Sequence, residues 1–458
     1  VALSPEELAL IQKHSLRLGS NAFQDELLLR YYLGRQRVEQ LGMAIPPQMR
    51  RFLVIANWCR VVVDTINSRQ QVRALSTGSA QDDGRLRAIW DASNLSAHTA
   101  MFNADRMIYG RAFMSVGANE DDPSLPWVRV ESPREMDAII DVRRERVTSA
   151  CRFYGWDDAL AVPTTTTSLS ATKVTLYLPN ETIWAERDAV GGWSEVDRDP
   201  HGLGAVPVVM HLNRRLSGAW TGESQMSDVI PLVDASARSL TNMQFAQEAH
   251  GIPRMWMTGV AKGDFIGDDG KPIPQFEAYF DAIHTLSKET AKVGQLTAAD
   301  LKNFDTSMQM YGTQASIVTG FPGRYFGLQT ANPPAEGAIK ADEAQLTRSV
   351  EEQNEQVGTT FGWAGAIALQ MATGRREQVA TTWFDPATPT VSQREDALAK
   401  RRAAGVLSRE GYWDELGWSE ARKAQEREYL RAEAREMLPD YYQSEVTDAA
   451  AGASVGGE

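Results

Sequence analysis

Residues 320–343 read GFPGRYFGLQTANPPAEGAIKADE, and in that stretch an irregular segment passes abruptly into a long helical run. Between 320 and 337 the chain carries three prolines, four glycines and three aromatics. One helical run (298–319) precedes the segment and another (336–373) follows it. Pro333 and Pro334 lack a backbone N–H, which suits the end of a loop or the first helical turn. Glu336 places an acid in that first turn, where the helix dipole favours it. An aromatic loop hung between two helices is either buried or built to touch something. The residues alone leave both readings open for Tyr325, Phe326 and Leu328.

At 458 residues the chain has room for roughly two to four domains, with a sizeable core in at least one. Hydrophobic content of 43% and charged content of 23% are those of an ordinary soluble protein. The window nearest to a membrane span is 357–373, VGTTFGWAGAIALQMAT. It is too short and too rich in Gly, Thr and Gln, and Glu355 and Arg375 flank it. Gly358 and Gly362 inside it read as close packing between soluble elements rather than membrane pairing. The first residues, VALSPEELALIQKH, show no basic run followed by an apolar core, so no signal peptide is expected. Ser4, Pro5, Glu6 and Glu7 read as a helix start. Cys59 and Cys151 form no CxxC pair and read as buried thiols in a reducing compartment. The net charge of −13 argues against tight static binding to nucleic acid, which usually comes with a basic domain.

Along the chain, 4–18 and 22–41 read as helices, as do the apolar run within 47–75 and the stretch 85–110, which ends at Gly110. From about 112 to 213 the period changes. Eight short runs rich in β-branched and aromatic residues, AFMSVG, WVRVES, AIIDV, TSACRFY, KVTLYLP, ETIWAE, GWSEVD and VPVVMHL, predict a mixed-to-antiparallel β region. The tract PTTTTSLSAT (163–172) reads as a connector. Met226, Ile230, Val233, Ala237 and Leu240 then fall on one helical stripe. Residues 251–297 separate this helix from the next and are too long for a plain loop, so a small α/β insert is expected. The fold class is α+β and helix-rich.

The loop with its flanking helices, together with 379–419, VATTWFDPATPTVSQREDALAKRRAAGVLSREGYWDELGWS, resembles the portal proteins of tailed bacteriophages. RYFGLQTANPPAEGAIKADEA (324–344) is the strongest match, with its succession of aromatic-Gly-Leu, Asn-Pro and Ala-Ile-x-x-x-Glu. GESQMSDVIPLVDASAR (222–238) followed by HGIPRMWMTG (250–259) is similar to the family's first stem helix and clip entry. WDASNLSAHTAMFNADRMIYGRAFMSVG (90–117) resembles its wing helix. The resemblance implies a mixed α/β wing (1–222), a first stem helix (223–250), a clip (251–297), a second stem helix (298–320) and a tunnel loop (321–335). A long helix (336–374), a return to the wing (375–391) and a helical crown with its tail (392–458) complete the layout.

The resemblance also implies a function. The portal is a homo-oligomeric ring at one capsid vertex, typically of twelve subunits in this family, through which double-stranded DNA is packaged and ejected. The tunnel loop would contact sliding DNA through Arg324, Tyr325, Phe326, Gly327, Leu328, Gln329, Thr330, Asn332 and Lys340. Arg324 and Lys340 would face phosphates, or pair with Glu336 and Glu343. The clip would dock partners around Lys262, Asp268, Asp269 and Lys271. Implied partners are the terminase large subunit, the major capsid protein, a scaffolding protein and a head-tail adaptor. The chain would reside in the virion, and in the bacterial cytoplasm during assembly. A helical scaffold or adaptor without a channel is the other class that stays open.

Catalytic motifs are missing. There is no GxxxxGK[ST] phosphate loop, no HExxH, and Gly222-Glu223-Ser224-Gln225-Met226 lacks the closing glycine of a nucleophile elbow. The six histidines (14, 98, 201, 211, 250, 284) are scattered. Asp82-Asp83-Gly84 and Asp268-Asp269-Gly270 lack the ligand spacing of a calcium loop and read as turns. No cofactor, metal or membrane contact is implied, and packaging would need a separate ATP-driven motor.

Overall fold

Ser4 opens the first helix: its hydroxyl accepts the Glu7 N–H, while the Glu7 carboxylate accepts the Ser4 N–H at 2.7 Å. This capping box starts α1 (Pro5–Leu33), a single helix where two were expected. Gly19 costs little inside it, because Ile11, His14, Leu18, Asp25 and Leu28 all bury on neighbouring elements. The computed structural model describes residues 2–37, 54–155, 171–188, 191–250, 255–258, 292–295, 302–328, 336–387, 391–416, 418 and 420–436.

Helix α2 (Trp58–Asn67) buries Trp58, Cys59, Val62, Val63 and Ile66. The expected helix does not continue to 75. Val72–Ser76 instead forms β1, paired antiparallel with β12 (Ala380–Trp383) from the far end of the same unit. The single helix expected over 85–110 is two, α3 (Ala80–Ala92) and α4 (Leu95–Tyr109). Asn94 separates them with φ +49°, a left-handed conformation that asparagine tolerates better than most residues.

All eight runs of the β region form strands, and every pairing is antiparallel. β2 (Arg111–Gly117) lies between β3 (Trp127–Glu131) and β9 (Val208–Leu212). The other five make a meander: β4 (Met136–Asp141), β5 (Arg146–Tyr154), β6 (Lys173–Tyr177), β7 (Thr182–Arg187) and β8 (Trp193–Asp199). α1 lies on this sheet, its Leu3, Ile11 and Leu18 neighbours packing with Cys151, Phe153, Val174 and Leu176. Both cysteines are buried and unbridged, and burial pushes the Cys59 thiol up to about 12.

After the sheets come α5 (Ile230–His250), the short pair β10 (Met255–Thr258) and β11 (Lys292–Gln295), and α6 (Lys302–Thr319). α7 (Glu336–Thr373) follows, 38 residues long. It closes the core over β2 and β9 with Val357, Phe361, Ala364 and Ile367. Its Gly362 is where residues after the helix cross back: a Cβ there would lie 2.3 Å from the Val379 carbonyl oxygen. Thr381 Oγ1 donates to the Gly358 carbonyl at 2.8 Å beside it. The two glycines thus serve close packing within the fold, the reading expected of them.

A polar layer interrupts this apolar seam. Arg106 is fully buried and donates to amide oxygens of Gln70, Asn103 (3.3 Å), Asn213 (2.7 Å) and Gln353 (3.1 Å). It thereby ties α4, the approach to β1, the exit of β9 and α7 to one guanidinium, whose pKa burial lowers to about 9. Residues Val1–Pro386 form one compact unit and Ala387–Glu458 a second. The second contains α8 (Val391–Ala403), α9 (Arg409–Glu415) and α10 (Glu420–Glu436), with Trp413 stacked on Trp418 at 5.7 Å.

Candidate functional site

Helix α6 ends by bonding its own exit. Ser316 Oγ donates to the Phe321 carbonyl at 2.6 Å, and Thr319 Oγ accepts the Phe321 N–H at 3.3 Å. Pro322 then holds φ −52° with an extended ψ of 136°, and Gly323–Phe326 make one 3-10 turn. Gly327 caps that turn at φ +86°, a conformation strained for any side chain. The turn sits tightly on α6: a Cβ at Gly312 would lie 3.2 Å from the Phe326 carbonyl and 3.3 Å from Leu328.

The turn sends one aromatic inward. Phe326 is only 4% exposed and packs among Trp58, Phe321, Leu346 and Val350. Tyr325 is half-buried and polar at its tip. Its hydroxyl accepts from Arg69 at 3.1 Å and donates to Glu343 at 3.3 Å.

Glu343, on the second turn of α7, is the centre of an ion-pair clamp. It receives Arg69 at 3.3 Å and also Arg324, while Arg324 reaches Asp342 at 2.8 Å. Arg69 further donates to the Pro386 carbonyl at 3.2 Å. The Glu343 and Arg69 side chains are nearly buried, so their pairing is screened little by water. The clamp holds four separated segments: the approach to β1, the 323–326 turn, the start of α7 and the residues after β12.

The sequence-derived residues therefore divide. Arg324, Tyr325, Phe326, Gly327 and Leu328 are brought together in the turn. Phe326 packs inward, where Gly327 ends the turn and leaves its ring against Trp58. Arg324 pairs with Glu343, one of its two expected acidic partners, and with Asp342, which was not expected. Lys340 is exposed on α7. Gln329, Thr330 and Asn332 lie outside the described residues, as do Lys262, Asp268, Asp269 and Lys271. Arg69 and Asp342 escaped the sequence reading. Asp342 had a signal, its helical neighbour Glu343; Arg69 had none.

Three further observations bear on chemistry. His14 lies in a row with Asp137 (Nδ1 to Oδ2, 2.7 Å) and Ser149 (Nε2 to Oγ, 2.9 Å), the order of a nucleophilic triad. All three are buried between α1 and the sheet, and Arg17 also holds Asp137 at 3.0 Å, so the row fastens a helix to a sheet. Asp83 accepts from the Thr77 N–H and hydroxyl, and Asp82 pairs with Arg85; both sit in the first turn of α3 as helix-start acids. Among the described residues no cluster of His, Cys, Asp and Glu has metal-binding geometry, and no helix is long and apolar enough to cross a membrane.

Residues 24–439 match the family described as phage portal protein, SPP1 Gp6-like. Two relatives bear the name portal protein. That of Mycobacterium phage D29 is 32% identical over 419 residues, covering 88% of this chain and 84% of the relative. That of Mycobacterium phage L5 is 31% identical over 443 residues, covering 93% and 88%. Among solved structures, a chain from the virion of a native gene transfer agent particle is similar at a TM-score of 0.45 and 13% identity, over 82% of this chain and 96% of that one.

Proposed function

From the premise that the chain belongs to the SPP1 Gp6-like phage portal family, we propose that its copies close into a ring, typically of twelve, whose channel passes double-stranded DNA at one capsid vertex. The observation that carries this reading is the family match across residues 24–439. The chain's chemistry agrees with transport rather than retention. DNA carries about one charge per 1.7 Å of axis, and a strongly basic wall would hold it. A chain of net charge −13 leaves it free to slide.

In this reading 223–250 and 298–320 are the stem helices, 251–297 the clip and 392–458 the crown with its tail. The clip docks a terminase-type motor and later a head-tail adaptor through the stretch that holds Lys262, Asp268, Asp269 and Lys271. The major capsid protein and scaffolding protein meet the ring elsewhere. Within the tunnel-loop segment the parts differ in role. Phe326 anchors the turn, the clamp on Arg324 and Tyr325 sets where it leaves the core, and Leu328, Gln329, Thr330 and Asn332 with Lys340 provide loose, sequence-blind contact. Assembly takes place in the host cytoplasm and the ring then resides in the virion.

Negative-stain imaging of the purified full chain tests the ring directly. Closed rings with a central hole are expected. Light scattering that finds only monomer or dimer across concentration and salt would sink the proposal.

A further inference from the structure

In a chain with a net charge of −13, one surface of the first unit concentrates arginines. Three segments far apart in sequence supply them: the β4–β5 turn, the loop after β9 and the residues after α7. Arg144, Arg146, Arg215 and Arg376 line one groove of about 580 Å³. Its two carboxylates are engaged, Asp141 with Arg144 at 3.9 Å and Glu145 with Arg215 at 3.6 Å. Arg146 and Arg376 make no ion pair with any described residue. The floor is apolar, built from Val208, Ile367 and the half-exposed Trp363. At one side the Arg215 guanidinium lies 3.6 Å from the Trp220 ring centroid, a stacked rim. A second depression of about 930 Å³ shares Arg146, Trp363 and Arg376 and carries the groove further along α7.

We propose that this groove docks an acidic peptide segment bearing one large apolar side chain, supplied by a partner protein. Two guanidiniums with no ion pair among the described residues call for carboxylates, which arginine grips in bidentate fashion. The exposed indole of Trp363 over an apolar floor calls for an apolar anchor, the usual centre of a protein interface within a polar rim. The length of the paired depressions fits an extended segment rather than a single ion. Duplex DNA fits less well, because its phosphates cannot use the apolar floor. Glu351, Glu355, Glu377 and Asp385 line only the second depression, so the acidic part of the ligand is confined to the first, where Arg144, Arg146, Arg215 and Arg376 face two carboxylates, and the second takes a neutral or apolar part. The groove's chemistry is independent of whether the chain forms a channel.

The test uses the full-length protein and a display library of short random peptides. Selection runs on the unmodified chain, with counter-selection on Arg146→Glu/Arg376→Glu. Both arginines and Trp363 are exposed, so these variants keep the fold, checked by circular dichroism. Enriched peptides should be net acidic with one Trp, Phe or Leu. Synthesised singly, such a peptide should lose about tenfold or more in affinity on the double reversal, and again on Trp363→Ala. Its binding should weaken with salt. No enrichment over the variant, or enrichment of neutral or basic peptides, overturns the proposal. So does a duplex oligonucleotide that binds with the same variant sensitivity while peptides do not, which would make this a nucleic-acid surface. A double reversal that changes oligomer size in light scattering, without affecting peptide capture, would make it an interface between copies and also overturn it.

Discussion

The ring of Phe326 stands edge-on to the indole of Trp58, at 88° with 5.8 Å between centroids. Edge-to-face pairs add about 0.5–1.5 kcal/mol to the burial of the rings themselves. This contact seats the 323–326 turn on α2. Phe326→Ala should therefore destabilise the unit by about 3–5 kcal/mol. Leu328→Ser, at the half-exposed end of the turn, should cost much less. Urea unfolding of both variants checks this; equal midpoints would mean that Phe326 anchors nothing.

The clamp makes an asymmetric prediction. Glu343→Ala leaves the nearly buried Arg69 facing the Tyr325 hydroxyl and the Pro386 carbonyl without its carboxylate, at a cost of about 2–4 kcal/mol. Asp342→Ala removes a half-exposed partner of Arg324 and should cost under about 1 kcal/mol. Amide exchange over 323–346 should speed up in the first variant and stay near the parent in the second. Equal protection in both would dispose of the clamp.

Asp105, one turn before Tyr109 on α4, has its carboxyl pushed up to about 7 by burial, from 3.8. A raised folded pKa means that this group's favourable contribution is complete below about pH 4 and is lost as pH rises through 7. Asp105→Asn should match the parent near pH 4 and exceed it above pH 7, by on the order of 1–4 kcal/mol. Melting temperatures at acid, neutral and mildly alkaline pH decide it. A constant offset across that range would refute the assignment.

The close crossing at Gly362 predicts opposite effects for one substitution at two helical glycines. Gly362→Ala drives a methyl into the Val379 carbonyl and should destabilise by about 3 kcal/mol. Gly19→Ala in α1 meets open space and should stabilise by about 0.5–1 kcal/mol. Thermal melts showing the same sign for both would contradict the packing described.

The Asp137–His14–Ser149 row should be chemically silent. Ser149 is buried, so a fluorophosphonate probe should leave the native protein unlabelled at that residue. Labelling of Ser149 detected by peptide mass mapping, and lost in His14→Ala, would instead reveal a working nucleophile.

Much of the fold could be read from the chain because its signals are local. The strands between 111 and 212 are short runs rich in β-branched and aromatic residues, and most of the turns between them carry their own breakers. β1 could not be read this way: Val72 pairs with Trp383, and nothing near residue 72 announces a partner so distant. The break at Asn94 was hidden for a different reason, since helical periodicity runs through it and only φ departs. At the candidate site the segment itself stood out through its glycines, prolines and aromatics. The inward turn of Phe326 did not, because it depends on Trp58 and on the cap at Gly327. Arg69 contributes to the clamp only through tertiary structure.

The pairing of β1 with β12 has a consequence for synthesis. A ribosome adds about 5–20 residues per second, so β1 waits on the order of 15–60 s for its partner strand to be made. During that interval the nascent chain carries an open strand edge. Its first unit can close only when nearly all of that unit has been translated. A chain truncated before residue 380 lacks β12 and the Pro386 contact of Arg69, and so cannot finish the fold. The first unit can therefore complete its fold only once translation has passed residue 386.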